Sequence, residues 1–196
     1  MTELKFSGNI AQIQQSLSAL LDRHHIDWRN WGQGDSLGLP TLAKEVQAGE
    51  SVFLEDGGTI RRVVRVINIR VSFIDHGQIK YLQEDHVVLA DGRTRRRTVL
   101  GAVNEKAKPG EPPSAAAHRG MLEEVGIDFD FTNVPCQETV TDKISANYVG
   151  LPCRFQNFIY NVTIEPKDYN PEGYLEKEPG KTTYFTWTDN EPEYRA

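Results

Sequence analysis

Cysteine is nearly missing from this 196-residue chain, which has only Cys136 and Cys153. Two cysteines without metal-ligand spacing make neither a disulfide framework nor a zinc site. They read as reduced thiols that pack like small apolar groups. Long apolar runs are missing as well, and no stretch approaches the ~20 residues of a membrane span. The start, Met1-Thr2-Glu3-Leu4-Lys5-Phe6, lacks the basic beginning and apolar run of a signal peptide. A cytoplasmic protein with no membrane partner is therefore expected. Positive charge is in deficit: 22 Lys and Arg face 28 Asp and Glu, a formal net charge of −6. No nucleic-acid partner is expected, because backbone binding needs basic residues to displace counterions. A small phosphorylated ligand stays open, since a metal ion can supply positive charge locally.

What is present suits a globular fold: 38% hydrophobic and 26% charged residues. Residues 8 to 23 read as a helix, with Asn9 as cap and Ile10, Ile13, Leu17, Leu20 and Leu21 at helical spacing. A loop holding Trp28 and Trp31 follows, then a short helix over 41 to 48 closed by Gly49. The tryptophans either anchor this segment or stack on a ligand. Residues 1–49 read as an N-terminal helical extension and residues 50–196 as the main domain.

From residue 51 the period becomes two. Val63, Ile67, Ile69, Val71 and Phe73 share one face of a long strand, with Arg62, Asn68, Arg70 and Ser72 mainly on the other. Asp75-His76-Gly77-Gln78 and Asp91-Gly92 read as turns, with strands through Ile79 to Leu82, Val87 to Leu89 and Thr94 to Val99. Arg93, Arg95 and Arg97 alternate, which suits outward arginines on a solvated strand, although the run Arg95-Arg96-Arg97 also suits a phosphate patch. Further strands are expected at 127–131, 155–164 and 182–187, with a polar loop between Glu165 and Lys181. Strands, one central helix, then more strands imply an α/β fold with a mixed sheet and helices packed on it.

The central helix runs from about Pro113 to Val125, and Gly126 can close it. On a helical wheel Ala115, Met121, Leu122 and Val125 fall on one face, and Arg119, Gly120, Glu123 and Glu124 on the other. Leu122 and Val125 should be buried and the two glutamates should face a solvent cleft. Two carboxylates converging from one helix suit Mg²⁺ or Mn²⁺, which take oxygen ligands and keep waters that a diphosphate can replace. The same spacing also suits an ordinary solvated acidic face.

Residues 105 to 127 resemble the Nudix box. That box reads Gly, five residues, Glu, seven residues, Arg-Glu, an aliphatic, any residue, Glu-Glu, any residue, Gly, an aliphatic. Glu111, Arg119, Met121, Glu123, Glu124, Gly126 and Ile127 stand in register with it. The resemblance implies a Nudix-like α/β/α sandwich and a metal-dependent hydrolase. A metal-activated water would attack a nucleoside diphosphate linked to another group. It implies Glu123 and Glu124 as Mg²⁺ or Mn²⁺ ligands, with Glu111 supporting through a second metal or through Arg119. Arg119 would orient the carboxylates, and a carbonyl near Asn104 would be a further ligand. Glu176 and Glu178 are candidates for the catalytic base.

Two positions depart from the box. Glu105 stands where its first glycine belongs, and Gly120 where the Glu of Arg-Glu belongs. Gly120 removes a carboxylate that is usually a metal ligand, and no side chain on that helix face clearly replaces it. Glu105 adds a Cβ where glycine allows unusual backbone angles, and it can supply a displaced carboxylate. Three functions are consistent with this: a hydrolase with a depleted or rearranged metal site, an inactive Nudix-fold protein binding a nucleotide-like ligand, and a protein-interaction module.

Overall fold

The computed structural model describes residues 2–34, 36–96 and 101–193. In chain order the elements are β1 (Thr2–Leu4), α1 (Ile10–Arg23), α2 (Leu39–Ala48), β2 (Val52–Asp56), β3 (Thr59–Asp75), β4 (Gln78–Leu89), β5 (Thr94–Arg95) and β6 (Val103–Lys106). Then come α3 (Pro113–Val125), β7 (Cys136–Ile144), β8 (Pro152–Thr163), β9 (Tyr174–Glu178) and β10 (Lys181–Thr188). A 3₁₀ turn covers Pro166–Asp168. Among the described residues, no helix is long and apolar enough to cross a membrane.

The chain divides into two compact units. The first takes in residues 1–65, 108–110 and 140–156. Asn9 caps α1 in a reciprocal box with Gln12, each side chain accepting from the other's backbone N–H. The helix then buries Ile13, Leu17, Leu20 and Leu21 against Leu42, Phe53, Ile60 and Tyr148. Trp31 is in the same core and donates through Nε1 to the Val149 carbonyl at 2.9 Å. Trp28 Nε1 donates to Asp22 at 3.0 Å. Both indoles tie the loop down, in keeping with the anchoring role.

This unit also holds Arg62, which lies, as the strand pattern implies, on the face opposite Ile67, Ile69, Val71 and Phe73. It is buried and donates to Ser51 Oγ at 2.8 Å and to Glu45 Oε2 at 2.7 Å. The physical reason is a change of parity along β3. Ile60, Arg62 and Val64 are buried in its first half, and Ile67, Ile69, Val71 and Phe73 in its second. The switch falls where the strand passes from one unit to the other, between Arg65 and Val66.

The second unit takes in residues 66–107, 111–139 and 157–196. The β3–β4 hairpin turns through His76 and Gly77, both at positive φ (48° and 85°), with Asp75 opposite Gln78. Antiparallel pairs then join β4 to β10 and β10 to β9, while β6 pairs antiparallel with β3. On β8, Asn157 lies beside Asn68 and the Ile164 N–H bonds the Ser72 carbonyl, so β8 and β3 advance in the same direction. The fold is α/β with a mixed sheet, as expected. Its core joins Ile67, Ile69 and Val71 to Ala116, Ala117 and Met121 of α3.

Several elements differ from expectation. Residues 127–131 form no strand; Ile127 and Phe131 are buried as anchors of a coil instead. The strand Cys136–Ile144 was not anticipated, because its residues are mostly exposed and lack alternation. The polar loop after Glu165 contains β9, a hairpin partner of β10 whose Lys177 and Glu178 are exposed and whose Glu176 is half-buried. Of the expected strand Thr94 to Val99, the described part is Thr94–Arg95; Arg97, Thr98 and Val99 lie outside the described residues.

Candidate functional site

The site begins with a close approach. A Cβ on Gly101 would lie 2.7 Å from both the N and the O of Ile69, so only glycine lets the chain pass this near to β3. From there β6 runs antiparallel to β3, pairing Asn104 with Asn68 and Glu105 with Ile67. Asn104 fixes the entry by donating through Nδ2 to the Gly101 carbonyl at 2.9 Å.

Helix α3 packs on β6. Proline at its first turn, where a missing N–H leaves no bond unmade, starts it. Gly126 ends it at φ 73° in the left-handed conformation. Its buried stripe is Ala116, Ala117, Gly120, Met121 and Val125. This corrects the wheel in three places: Leu122 is 48% exposed, Ala115 is exposed, and Gly120 is buried. Three small residues let the helix lie close against the strand, and the packed face rotates toward them and away from Leu122.

Gly120 faces β6 directly. A Cβ built on it would stand 3.0 Å from the Glu105 Cβ and 3.4 Å from the Glu105 Cγ and the Val103 Cγ1. The two departures from the box are therefore neighbours, and the side chain of Glu105 fills the room beside Gly120. So a side chain does occupy the room beside Gly120, and it comes from the strand. Sequence alone could not pair them, because β6 and α3 meet only in the fold.

Arg119 joins the charged groups. It bonds Glu111 through Nε at 3.1 Å and Nη2 at 3.0 Å, Glu105 through Nη1 at 3.1 Å and Glu123 through Nη1 at 3.4 Å. Its Nη2 also donates to the Lys106 carbonyl at 3.1 Å, which braces the loop before the helix. The hydrogen bond to Glu111, opposed by burial and reinforced by Glu105, holds the guanidinium firmly charged. Burial pushes the Glu105 carboxyl above its ordinary value, with Arg119 and the Lys106 N–H pulling against it.

The two tandem glutamates differ from one another. Glu124 is half-buried and accepts from the Asn104 N–H at 3.3 Å. Glu123 is 56% exposed and leans to Arg119. Glu111, Glu123 and Glu124 are not gathered at one point; among the described residues no three His, Cys, Asp or Glu side chains converge as a metal-binding group. Glu176 lies on β9 opposite Thr183, 4.0 Å from Lys181 Nζ, and Glu178 pairs with Lys181. Neither is brought into the cluster round Arg119, although β9 runs beside α3.

No family model matches the chain, and no curated protein does. Several solved structures are similar at low identity. A C. elegans Ap4A hydrolase is 15% identical, with 64% of this chain and 79% of that one covered and a TM-score of 0.35. The Nudix domain of Shewanella oneidensis NrtR, solved with ADP ribose, is 8% identical over 63% and 70% of the two chains, with a TM-score of 0.37. The T. brucei MERS1 protein in its apo form is 14% identical over 80% and 64%, with a TM-score of 0.37.

Proposed function

We propose that this protein is a Nudix-type hydrolase that acts, with Mg²⁺ or Mn²⁺, on a nucleoside diphosphate linked to another group, through a rearranged acidic site. The observation that supports this is the cluster itself. Glu105, Glu111 and Glu123 surround Arg119, and Glu124 stands against the backbone of Asn104, next to Glu105 on β6. The donor set suits a hard divalent cation in kind, since every acidic group offers oxygen. Glu123 and Glu124 would hold the cation with Glu111 in support, and it would polarise phosphoryl oxygens and lower the pKa of a bound water. Arg119 braces the loop through Glu111 and the Lys106 carbonyl, and so orients the carboxylates. Glu176 is the candidate base, half-buried on the strand beside α3.

A panel of nucleoside diphosphates linked to sugars, nucleosides or phosphate, assayed with each metal, tests the reading. Turnover of at least one member, lost in Glu124→Gln, is expected. No turnover of any member with either metal would overturn it.

A second reading has its own support. Arg119 engages three of the carboxylates, and among the described residues no three His, Cys, Asp or Glu side chains converge as a metal-binding group. On that reading the fold binds a small nucleotide-like ligand or a protein partner without hydrolysis. Ligand binding that needs no metal and yields no product would favour it.

A further inference from the structure

We infer that Glu105 and Gly120 are the two halves of one exchange: the carboxylate that a Nudix helix carries at the position of Gly120 is delivered here from β6 by Glu105, in the room the glycine leaves. The inference rests on the hydrolase reading for its chemistry and on packing alone for its geometry.

Three observations carry it. First, the two departures from the box touch. The Glu105 Cβ stands 3.0 Å from where a Gly120 Cβ would be, closer than neighbouring Cβ atoms normally come. The space is tight for side chains from both strand and helix, and Glu105 would have to give way by a few tenths of an ångström for a second one to fit. Second, a glycine inside a helix is destabilising relative to alanine, so an unrelated loss of the glutamate would leave an unfavourable residue without a reason. The presence of Glu105 supplies that reason. Third, the displaced carboxylate is not turned outward. It reaches Arg119 Nη1 at 3.1 Å, the same nitrogen that Glu123 approaches at 3.4 Å. The antiparallel register of β6 on β3 fixes it there, because Glu105 lies opposite Ile67 and cannot slide without moving Asn104 off Asn68. Glu105 thus keeps the acidic count of the cluster while changing the element that supplies it.

Two measurements on the full chain test this. The packing half is tested by thermal unfolding of Gly120→Ala in two backgrounds. In the wild-type chain the added Cβ meets Glu105, and a fall in Tm of at least about 4 °C is expected. In Glu105→Gly the obstruction is gone and alanine favours the helix, so the same substitution raises Tm. An equal effect in both backgrounds overturns the exchange.

The charge half is tested by calorimetric titration with Mn²⁺ alone, without substrate. Glu105→Gln weakens Mn²⁺ by roughly tenfold or more, as Glu124→Gln does. Glu105→Gly/Gly120→Glu recovers the affinity that Glu105→Gly loses. Mn²⁺ binding that needs Glu124 and ignores Glu105 overturns the inference and leaves the hydrolase reading standing. Absence of Mn²⁺ binding to the wild-type chain overturns the hydrolase reading. The sign reversal in Tm then still decides whether the two residues share one space.

Discussion

Each compact unit holds an arginine bonded to carboxylates, and the two arginines are used in opposite ways. Arg62 in the first unit is 5% exposed and faces one carboxylate, Glu45, at 8%. Ser51 bridges the pair, and the guanidinium lies 5.1 Å from the Tyr148 ring centroid. Burial pushes the hydroxyl of Tyr148 and the thiol of Cys153 above their ordinary values, so both stay neutral beside it. Charge is balanced within the node and water is excluded. Arg119 in the second unit is 19% exposed and faces three carboxylates, one of them 56% exposed. Three carboxylates share that guanidinium and solvent reaches it. A closed one-to-one node holds a fold together, whereas an open, shared one contributes less to stability. On the proposed reading it is this open node that meets a ligand.

The sharpest way to break that comparison is to remove Arg62. Arg62→Met leaves Glu45 buried without its partner, and a loss of about 3–5 kcal/mol is expected. Denaturant unfolding measures it. A loss below about 1 kcal/mol would class Arg62 with exposed ion pairs and undo the contrast. Adding Glu45→Met should recover much of the loss, because two apolar side chains avoid the cost of an unpaired buried charge.

How far the sequence revealed all this depended on whether the signal was local. Caps and turns are local, so Asn9, Gly49, Gly126 and the Asp75–Gln78 turn were legible. The span of α3 was legible too, because Pro113 opens it and Gly126 closes it. The orientation of that helix was not. Leu122 outweighs alanine and glycine on any hydrophobicity scale, so the wheel turned toward it. The fold chose Ala116, Ala117 and Gly120 because small residues permit close packing on β6. The burial of Arg62 was not legible, because the buried parity of β3 changes along the strand, from Ile60, Arg62 and Val64 to Ile67, Ile69, Val71 and Phe73. The meeting of Glu105 with Gly120 depends on strand register and helix docking together, which no local pattern encodes.

The orientation of α3 gives the next largest effect. Met121 is fully buried, so Met121→Ala should cost about 2–5 kcal/mol. Leu122→Ala should stay within about 0.5 kcal/mol, as for an exposed site. Equal losses in the two variants would return the packed face to the one the wheel drew.

Arg119→Met ranks third. Its partners are partly solvated, and a loss of about 1–3 kcal/mol is expected for charged hydrogen bonds of this kind. The loss should shrink with added salt, since screening acts on groups that water reaches. The loss in Arg62→Met should change little with salt. An Arg119→Met loss as large and as salt-insensitive as that of Arg62→Met would make the two nodes equivalent.

The smallest effect is expected at an exposed pair in the first unit, Asp142 on β7 with Arg154 on β8. The carboxylate accepts from Arg154 Nε at 2.8 Å and Nη2 at 2.7 Å. Those hydrogen bonds, with the nearby charges of Arg154 and Arg61, hold the Asp142 carboxyl below its ordinary 3.8. A depressed folded pKa means that the unfolded chain takes up the proton first as pH falls. The pair's contribution is therefore complete above 3.8 and disappears as pH falls through the depressed folded value. Asp142→Asn should unfold slightly below the wild-type midpoint at neutral pH. The gap should narrow in acid and be gone once the native carboxyl is protonated. High salt should narrow it as well. A gap that keeps its full size in acid would mean that the substituted amide disturbs the β7–β8 pairing by its shape, and that the charge of Asp142 contributes nothing there.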